Sequence, residues 1–206
     1  MASLTVGRRR STRSPDEVRE AVLDAAETCF RRYGIAQTTI DDVVREAKVS
    51  RPTLYRHAGG KEELLAAIAL RELDRFLADL ARAASRRDDV AEILVDATLL
   101  AVKKARAHEL FALMLAPDSR AYAAHVMHDL GPTVRERLAG YVEPLLDAAR
   151  AEGILRPGLT THDAVEWLGR VIASLIFMPE PWPRTNADRR AFLHRVLVPA
   201  FLRDPR

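Results

Sequence analysis

The run from Ser50 to Lys61, SRPTLYRHAGGK, gathers an arginine, a proline, a threonine, a tyrosine and a histidine into one short stretch. On a helix, Leu54 and Ala58 are spaced i and i+4 and pack inward with Val49, which turns Arg51, Pro52, Thr53, Tyr55 and His57 outward. A helix fits the major groove of B-DNA, where outward side chains must supply hydrogen bonds to base edges, methyl contacts to thymine or ligands for phosphate. This helix offers all three. Arg51 can make a bidentate contact to guanine, while Pro52 and the Thr53 methyl can touch thymine methyls. The Tyr55 hydroxyl, Arg56, His57 and Lys61 suit phosphate oxygens, as do the unbonded N–H groups of a helix capped by Thr39. The plain alternative for the same residues is a polar, solvated face.

A second set could hold a small molecule. His108, Phe111, Met114, Leu115, Tyr122 and Met127, and later Trp167, Arg170, Ser174, Phe177 and Met178, are bulky or carry one polar atom within apolar helical stretches. The same pattern is also ordinary core packing. Arg170 is the most informative, because a cation inside an apolar helix requires a partner, either an acidic ligand or Glu166 one turn back. The apolar bias points to a hydrophobic or amphipathic effector. His125, His128 and Asp129 lie within about one helical turn but lack HExxH spacing and a further ligand, so neither a metal nor a cofactor is expected. No GxSxG, P-loop or GxGxxG motif appears, so catalysis is not expected. Cys29 falls on an apolar stripe and reads as a small core residue, not a reactive thiol.

Helices must position these side chains. Ser14-Pro15-Asp16-Glu17 combines an N-cap Ser, Pro at the first helical position and a Glu three residues after the cap. Val18, Ala21, Val22, Ala25, Cys29, Phe30 and Tyr33 then form one buried stripe, which Gly34 terminates. Thr39 caps a short second helix with Ile40, Val43 and Val44 inward, Lys48-Val49 makes a tight break, and Ser50 caps the third, which Gly59-Gly60 closes. Two short helices joined by a tight turn and braced by a longer one form a helix-turn-helix pattern. From Lys61 onward the periodicity stays helical. Segments run to the polar cluster near Ser85, from Val90, over Leu110 to Leu115 before Pro117, over Arg120 to Leu130 and Thr133 to Ala151 on either side of Gly131-Pro132, and over Thr161 to Met178. The last covers Ala187 to Phe201, beyond the Pro-rich link 179–183. No alternating strand appears, so the fold class is all-α.

The stretch Thr38 to Leu65, TTIDDVVREAKVSRPTLYRHAGGKEELL, resembles the DNA-binding signature of the TetR family of bacterial transcriptional regulators. The run Val-Ser-x-x-Thr-Leu-Tyr-x-His followed by Lys-Glu-Glu-Leu-Leu carries the resemblance, which with the preceding helix covers about the first 65 residues. It implies base or near-base contact from Arg51, Pro52, Thr53 and Tyr55, and phosphate contact from Thr39, Ser50, Tyr55, His57 and Lys61, with no fixed role for Arg56. The family often has Phe after the His; Ala58 stands there in this chain, so another side chain must fill the inner corner. Beyond Leu65 the likeness is one of length and helix succession. It implies a helical domain that binds a small ligand, with the last two long helices pairing with those of a second subunit as a four-helix bundle. The broad apolar faces around Val165, Leu168, Ile172 and Leu175, and around Leu193, Val196 and Leu197, agree with such a homodimer. Its two recognition helices would read a palindromic double-stranded DNA operator with half-sites about 34 to 36 Å apart or a multiple of that.

Composition bounds the rest. Of 206 residues, 48% are apolar and 30% charged, which suits a real hydrophobic core and excludes a disordered chain. A single cysteine excludes an intrachain disulfide and fits a reducing, cytoplasmic setting. The longest apolar stretches, Leu110 to Ala116 and Val171 to Met178, fall far short of the roughly 18 to 20 residues that span a bilayer, and MASLTVGRRR lacks the order of a secretory signal. Charge is uneven. Up to Lys61 there are 12 basic and 8 acidic residues, against 20 and 21 in the remainder, so the positive excess lies at the front. Residues 1–14 carry Arg8, Arg9, Arg10 and Arg13 without an acid, a basic disordered arm suited to a polyanion or to solubility alone. The expected organisation is this arm, a DNA-binding domain over 15–60, and a ligand-binding and dimerisation domain over 61–206. The expected protein is a ligand-released repressor; a helical enzyme or a DNA-free interaction protein is the rival.

Overall fold

The computed structural model describes residues 14–85, 88–115, 118–178 and 185–203, with side chains at 110, 111, 115, 120–123 and 127 outside the description. The basic arm through Arg13, Arg86-Arg87, Pro117 and the Pro-rich link therefore lie outside the described residues. Ten helices and no strand occur among the described residues, which gives the all-α class expected from periodicity. The chain forms two compact units, Met1–Ile68 and Ala69–Arg206.

In the first unit, α1 (Pro15–Tyr33), α2 (Ile40–Ala47), α3 (Arg51–Ala58) and the start of α4 (Lys61–Ala84) surround one core. Each short helix is fixed by its ends. A reciprocal Ser14–Glu17 capping box opens α1, and Gly34 at φ 84° turns the chain out of it. A Thr39–Asp42 box opens α2, and Lys48 closes it in the left-handed conformation, φ 55°. The Ser50 hydroxyl accepts from the Thr53 amide at 3.2 Å to open α3. Val22, Phe30, Ile35, Val43, Leu54 and Leu64 are almost fully buried between these helices. Thr38 is buried with its hydroxyl donating 2.7 Å to the Gly34 carbonyl, so the turn between α1 and α2 satisfies its own polar groups. Tyr33 departs from the expected stripe: it is 44% exposed. As the last residue of α1 it lies beyond the buried run of Val22, Leu23, Ala26, Cys29 and Phe30, and its ring meets Arg32 at the surface.

The second unit contains the rest of α4, α5 (Val90–Ala107), α6 (Glu109–Leu115), α7 (Arg120–Ala151), α8 (Thr161–Phe177), α9 (Asn186–Val196) and α10 (Val198–Phe201). Leu94, Val95, Val142, Leu146, Leu193 and Phe201 lie at its core. Two boundaries differ from the periodicity reading. The segments on either side of Gly131-Pro132 are one helix, α7, which also contains Pro144. A proline removes one intrahelical hydrogen bond and strains the preceding turn, but it does not end a helix that packing holds on both sides. Conversely, the single helix expected over 187–201 breaks at Leu197. Pro199 has no N–H for the Arg195 carbonyl, and the chain tightens instead, with the Ala200 amide reaching the Leu197 carbonyl at 3.0 Å. An ionic cluster ties α9 to α5: Arg190 pairs with Glu92 at 2.5 Å and also with Asp96, while His194 Nε2 lies 3.0 Å from Glu92.

Candidate nucleic-acid interface

α3 is eight residues long, and one face is sealed. Leu54 is fully buried and Ala58 nearly so, which closes the corner that the small Ala58 side chain left in question. The backbone behind it is tied from outside the helix, because Arg19 of α1 donates from Nη1 to the His57 carbonyl at 2.8 Å. A rigid rod results, with its opposite face open. Arg51, Pro52, Tyr55 and Arg56 are exposed there, and Thr53 and His57 are partly so.

The outward groups are already organised. Arg51 Nη1 lies 3.4 Å from Asp41 of α2, and its guanidinium stands 5.9 Å from the Tyr55 ring centroid. Planar cation and ring therefore share one patch. The Ser50 and Thr53 hydroxyls lie 2.7 Å apart, and Arg56 Nε approaches His57 Nε2 at 3.4 Å. Thr39 is exposed at the start of α2, but its hydroxyl donates to the Asp42 carboxylate at 2.6 Å while accepting from the Asp42 amide at 3.2 Å. The Thr39 hydroxyl and the Thr39 backbone N–H, both donating to the carboxylate, hold the Asp42 carboxyl below its ordinary value. A phosphate at this helix end would compete with Asp42 for the hydroxyl. Lys61 is half-buried; desolvation lowers its ammonium pKa, and Nζ donates 2.8 Å to the Ala36 carbonyl. That bond anchors the start of α4 to the turn before α2, a role that residue type alone does not reveal. Asp41 and Arg19 were likewise absent from the sequence-based set, since both act through tertiary proximity.

The effector candidates whose side chains are described fall into two groups, His108 and Met114 around α6 and the rest around α8. His108 Nε2 sits 2.9 Å from Glu72, and Met114 is buried. The side chains of Phe111, Leu115, Tyr122 and Met127 lie outside the described residues. On α8, Trp167, Ser174, Phe177 and Met178 are exposed, and Arg170, expected inside, is an exposed partner of Glu166 at 2.6 Å. The helix turns these residues away from the core formed by Ala164 and Val165, so no burial demands a ligand for Arg170. A cavity of about 860 Å³ lies elsewhere in the second unit, between α5, α8 and α9. Among the described residues no group of three or more His, Cys, Asp or Glu could hold a metal ion. No helix among them is long and apolar enough to cross a membrane.

Residues 22–68 match the family model described as bacterial regulatory proteins, tetR family. The regulator TtgR of Pseudomonas putida is 27% identical over 207 residues, covering 87% of this chain and 94% of TtgR. SmeT in a triclosan complex is 26% identical, with a TM-score of 0.58, covering 91% of this chain and 92% of SmeT. A TetR-family transcriptional regulator from Pectobacterium atrosepticum shares the fold at a TM-score of 0.66 and 21% identity, covering 97% of this chain and all of that one. The match covers residues 22–68, the segment that builds α3 and packs behind it, and in that segment the chain is similar to bacterial regulatory proteins of the tetR family, while the likeness of fold extends over 97% of the chain.

Proposed function

We propose that this chain is a cytoplasmic, homodimeric repressor that binds a palindromic operator and is released by a small hydrophobic or amphipathic effector. One observation carries the reading: α3 is pinned on one face by Leu54, Ala58 and the Arg19 bond, and presents Arg51, Pro52 and Tyr55 on the other. Residues 15–60 act as the DNA-binding domain, residues 61–206 as the effector and dimerisation domain, and residues 1–14 as an arm for the adjacent minor groove. Arg51, Pro52, Thr53 and Tyr55 read bases, with Ser50, His57 and Lys61 on phosphates. TtgR is named a transcriptional regulator, and SmeT is described as the repressor of a Stenotrophomonas maltophilia multidrug efflux pump. Both names support regulation over catalysis.

Release is a population shift: the effector must favour a subunit arrangement whose recognition helices are wrongly spaced for successive major grooves. Selection from random duplexes by the full chain at physiological salt tests this reading. The expected product is an inverted repeat bound with a steep inverse salt dependence and retained against nonspecific competitor. Failure to enrich any duplex overturns it.

A further inference from the structure

The cavity of about 860 Å³ between α5, α8 and α9 has a divided chemistry. Leu99 and Leu100 of α5, Leu175 of α8 and Phe192 and Leu193 of α9 give it an apolar floor. Lys103 and Arg106, one turn apart on α5, stand at its wall and are exposed. Arg106 donates from Nη2 to the Leu175 carbonyl at 2.7 Å. A carbonyl accepts that hydrogen bond without supplying a counter-charge. Neither Lys103 nor Arg106 forms an ion pair among the described residues, whereas Lys104 pairs with Asp79, and Arg190, at the far wall, with Glu92 and Asp96. Among the described residues no acidic side chain lines the cavity, so the cationic edge has no counter-charge there. An apolar trough ending in two uncompensated cations matches a molecule with a hydrocarbon body and one anionic head.

We propose that this cavity binds an amphipathic anion, a medium-chain carboxylate or its equivalent, with the chain along Leu99, Leu175 and Phe192 and the head against Lys103 and Arg106. The proposal rests on the regulator reading for its consequence and names the chemistry of the effector. Among the described residues, none that the sequence suggested lines this site. Its walls explain how occupancy reaches the assembly. Leu175 is on α8 and Phe192 on α9, the helices whose outer faces carry the exposed apolar residues Trp167, Phe177 and Val196. Arg106, which binds the α8 backbone, is also the residue that would meet the head group, so ligand and helix compete for one guanidinium.

The test is titration calorimetry on the full chain with laurate below its micellar range, beside dodecanol and dodecyltrimethylammonium. Laurate is expected to bind one per subunit, at least about tenfold tighter than either chain-matched control. Lys103→Gln is expected to weaken laurate roughly tenfold without changing thermal stability, since Lys103 makes no hydrogen bond that folding needs. Arg106→Gln should weaken it as much, with a melting curve recorded alongside because the Leu175 contact is lost. Absence of laurate binding, equal binding of the cationic chain, or an unaltered constant in Lys103→Gln overturns the site. So does a laurate-independent change of oligomeric state in Lys103→Glu, which would put a second copy in the trough. Operator binding is read separately by gel shift. A chain that binds its operator but ignores laurate sinks this inference alone, whereas a chain that selects no duplex sinks the regulator reading whatever laurate does.

Discussion

Arg51 has a carboxylate and a ring to leave before it can reach a base. In the free chain its guanidinium lies 3.4 Å from Asp41 and beside the Tyr55 ring, and both Arg51 and Asp41 are more than half exposed. Solvent screens an exposed pair of this kind, so binding must surrender little to free the arginine. Asp41→Asn removes the competitor and a negative charge that faces incoming phosphate. Operator affinity is expected to rise up to about fivefold, and a gel-shift titration that shows weaker binding contradicts this account. Arg51→Ala is expected to cost about 1 to 3 kcal/mol on the cognate site and little on random DNA, the signature of base reading. Tyr55→Ala and Lys61→Ala should weaken all sequences alike, with the Lys61 variant lowering the salt slope by about one. Lys61 also holds the Ala36 carbonyl, so its variant is compared by melting temperature with Lys61→Met, which keeps the stem.

At the scale of the helices, caps do much of the positioning. Thr39→Ala removes the side-chain half of the α2 capping box, leaving the backbone N–H at that position on the Asp42 carboxylate, and is expected to cost about 1 kcal/mol in chemical denaturation, whereas Thr39→Ser should be close to neutral. Asp42 and Asp163 are held below the ordinary 3.8 by the Thr39 and Thr160 hydroxyls and backbone amides. A carboxyl lowered on folding adds stability above its unfolded value and loses it as pH falls through the folded one. Both caps should therefore loosen below pH 3.8, and the double variant Asp42→Asn/Asp163→Asn should show a flatter acid limb in its unfolding curve. The Ser14 and Thr39 caps were legible because a capping residue just before an apolar-periodic run is a local pattern, and so were Leu54 and Ala58, whose burial follows from helical spacing. Pro132 and Pro199 were not. Both prolines carry the same local penalty, yet α7 continues through one and α9 ends near the other, because the outcome depends on packing that no short window contains. Of the two partners that the sequence allowed Arg170, an acidic ligand or Glu166, the structure pairs it with Glu166 on the exposed side of α8, a choice that depends on which side the core of Ala164 and Val165 occupies. The Asp41, Arg19 and Ala36 contacts join residues 10 to 38 positions apart and leave no periodic trace.

For the whole molecule, the exposed apolar residues of the second unit set the terms. Trp167, Phe177 and Val196 are 45%, 54% and 49% exposed on α8 and α9, more apolar surface than helix ends in water usually leave open. A two-fold partner that covered them would hold two copies of α3 on one operator, so that the second half-site binds at the high effective concentration set by the first. Val196→Glu places a charge in that face while leaving Leu193 and Leu197, which are buried in the subunit core, untouched. The variant is expected to sediment as a monomer with unchanged helical circular dichroism. Its operator affinity should fall at least about a hundredfold, because only one half-site is gripped at a time. Binding to an isolated half-site should stay as it was, which separates loss of assembly from damage to α3. A variant that remains dimeric, or that becomes monomeric yet keeps full affinity for the inverted repeat, would remove α8 and α9 from the interface and leave the exposed face without a partner in DNA binding.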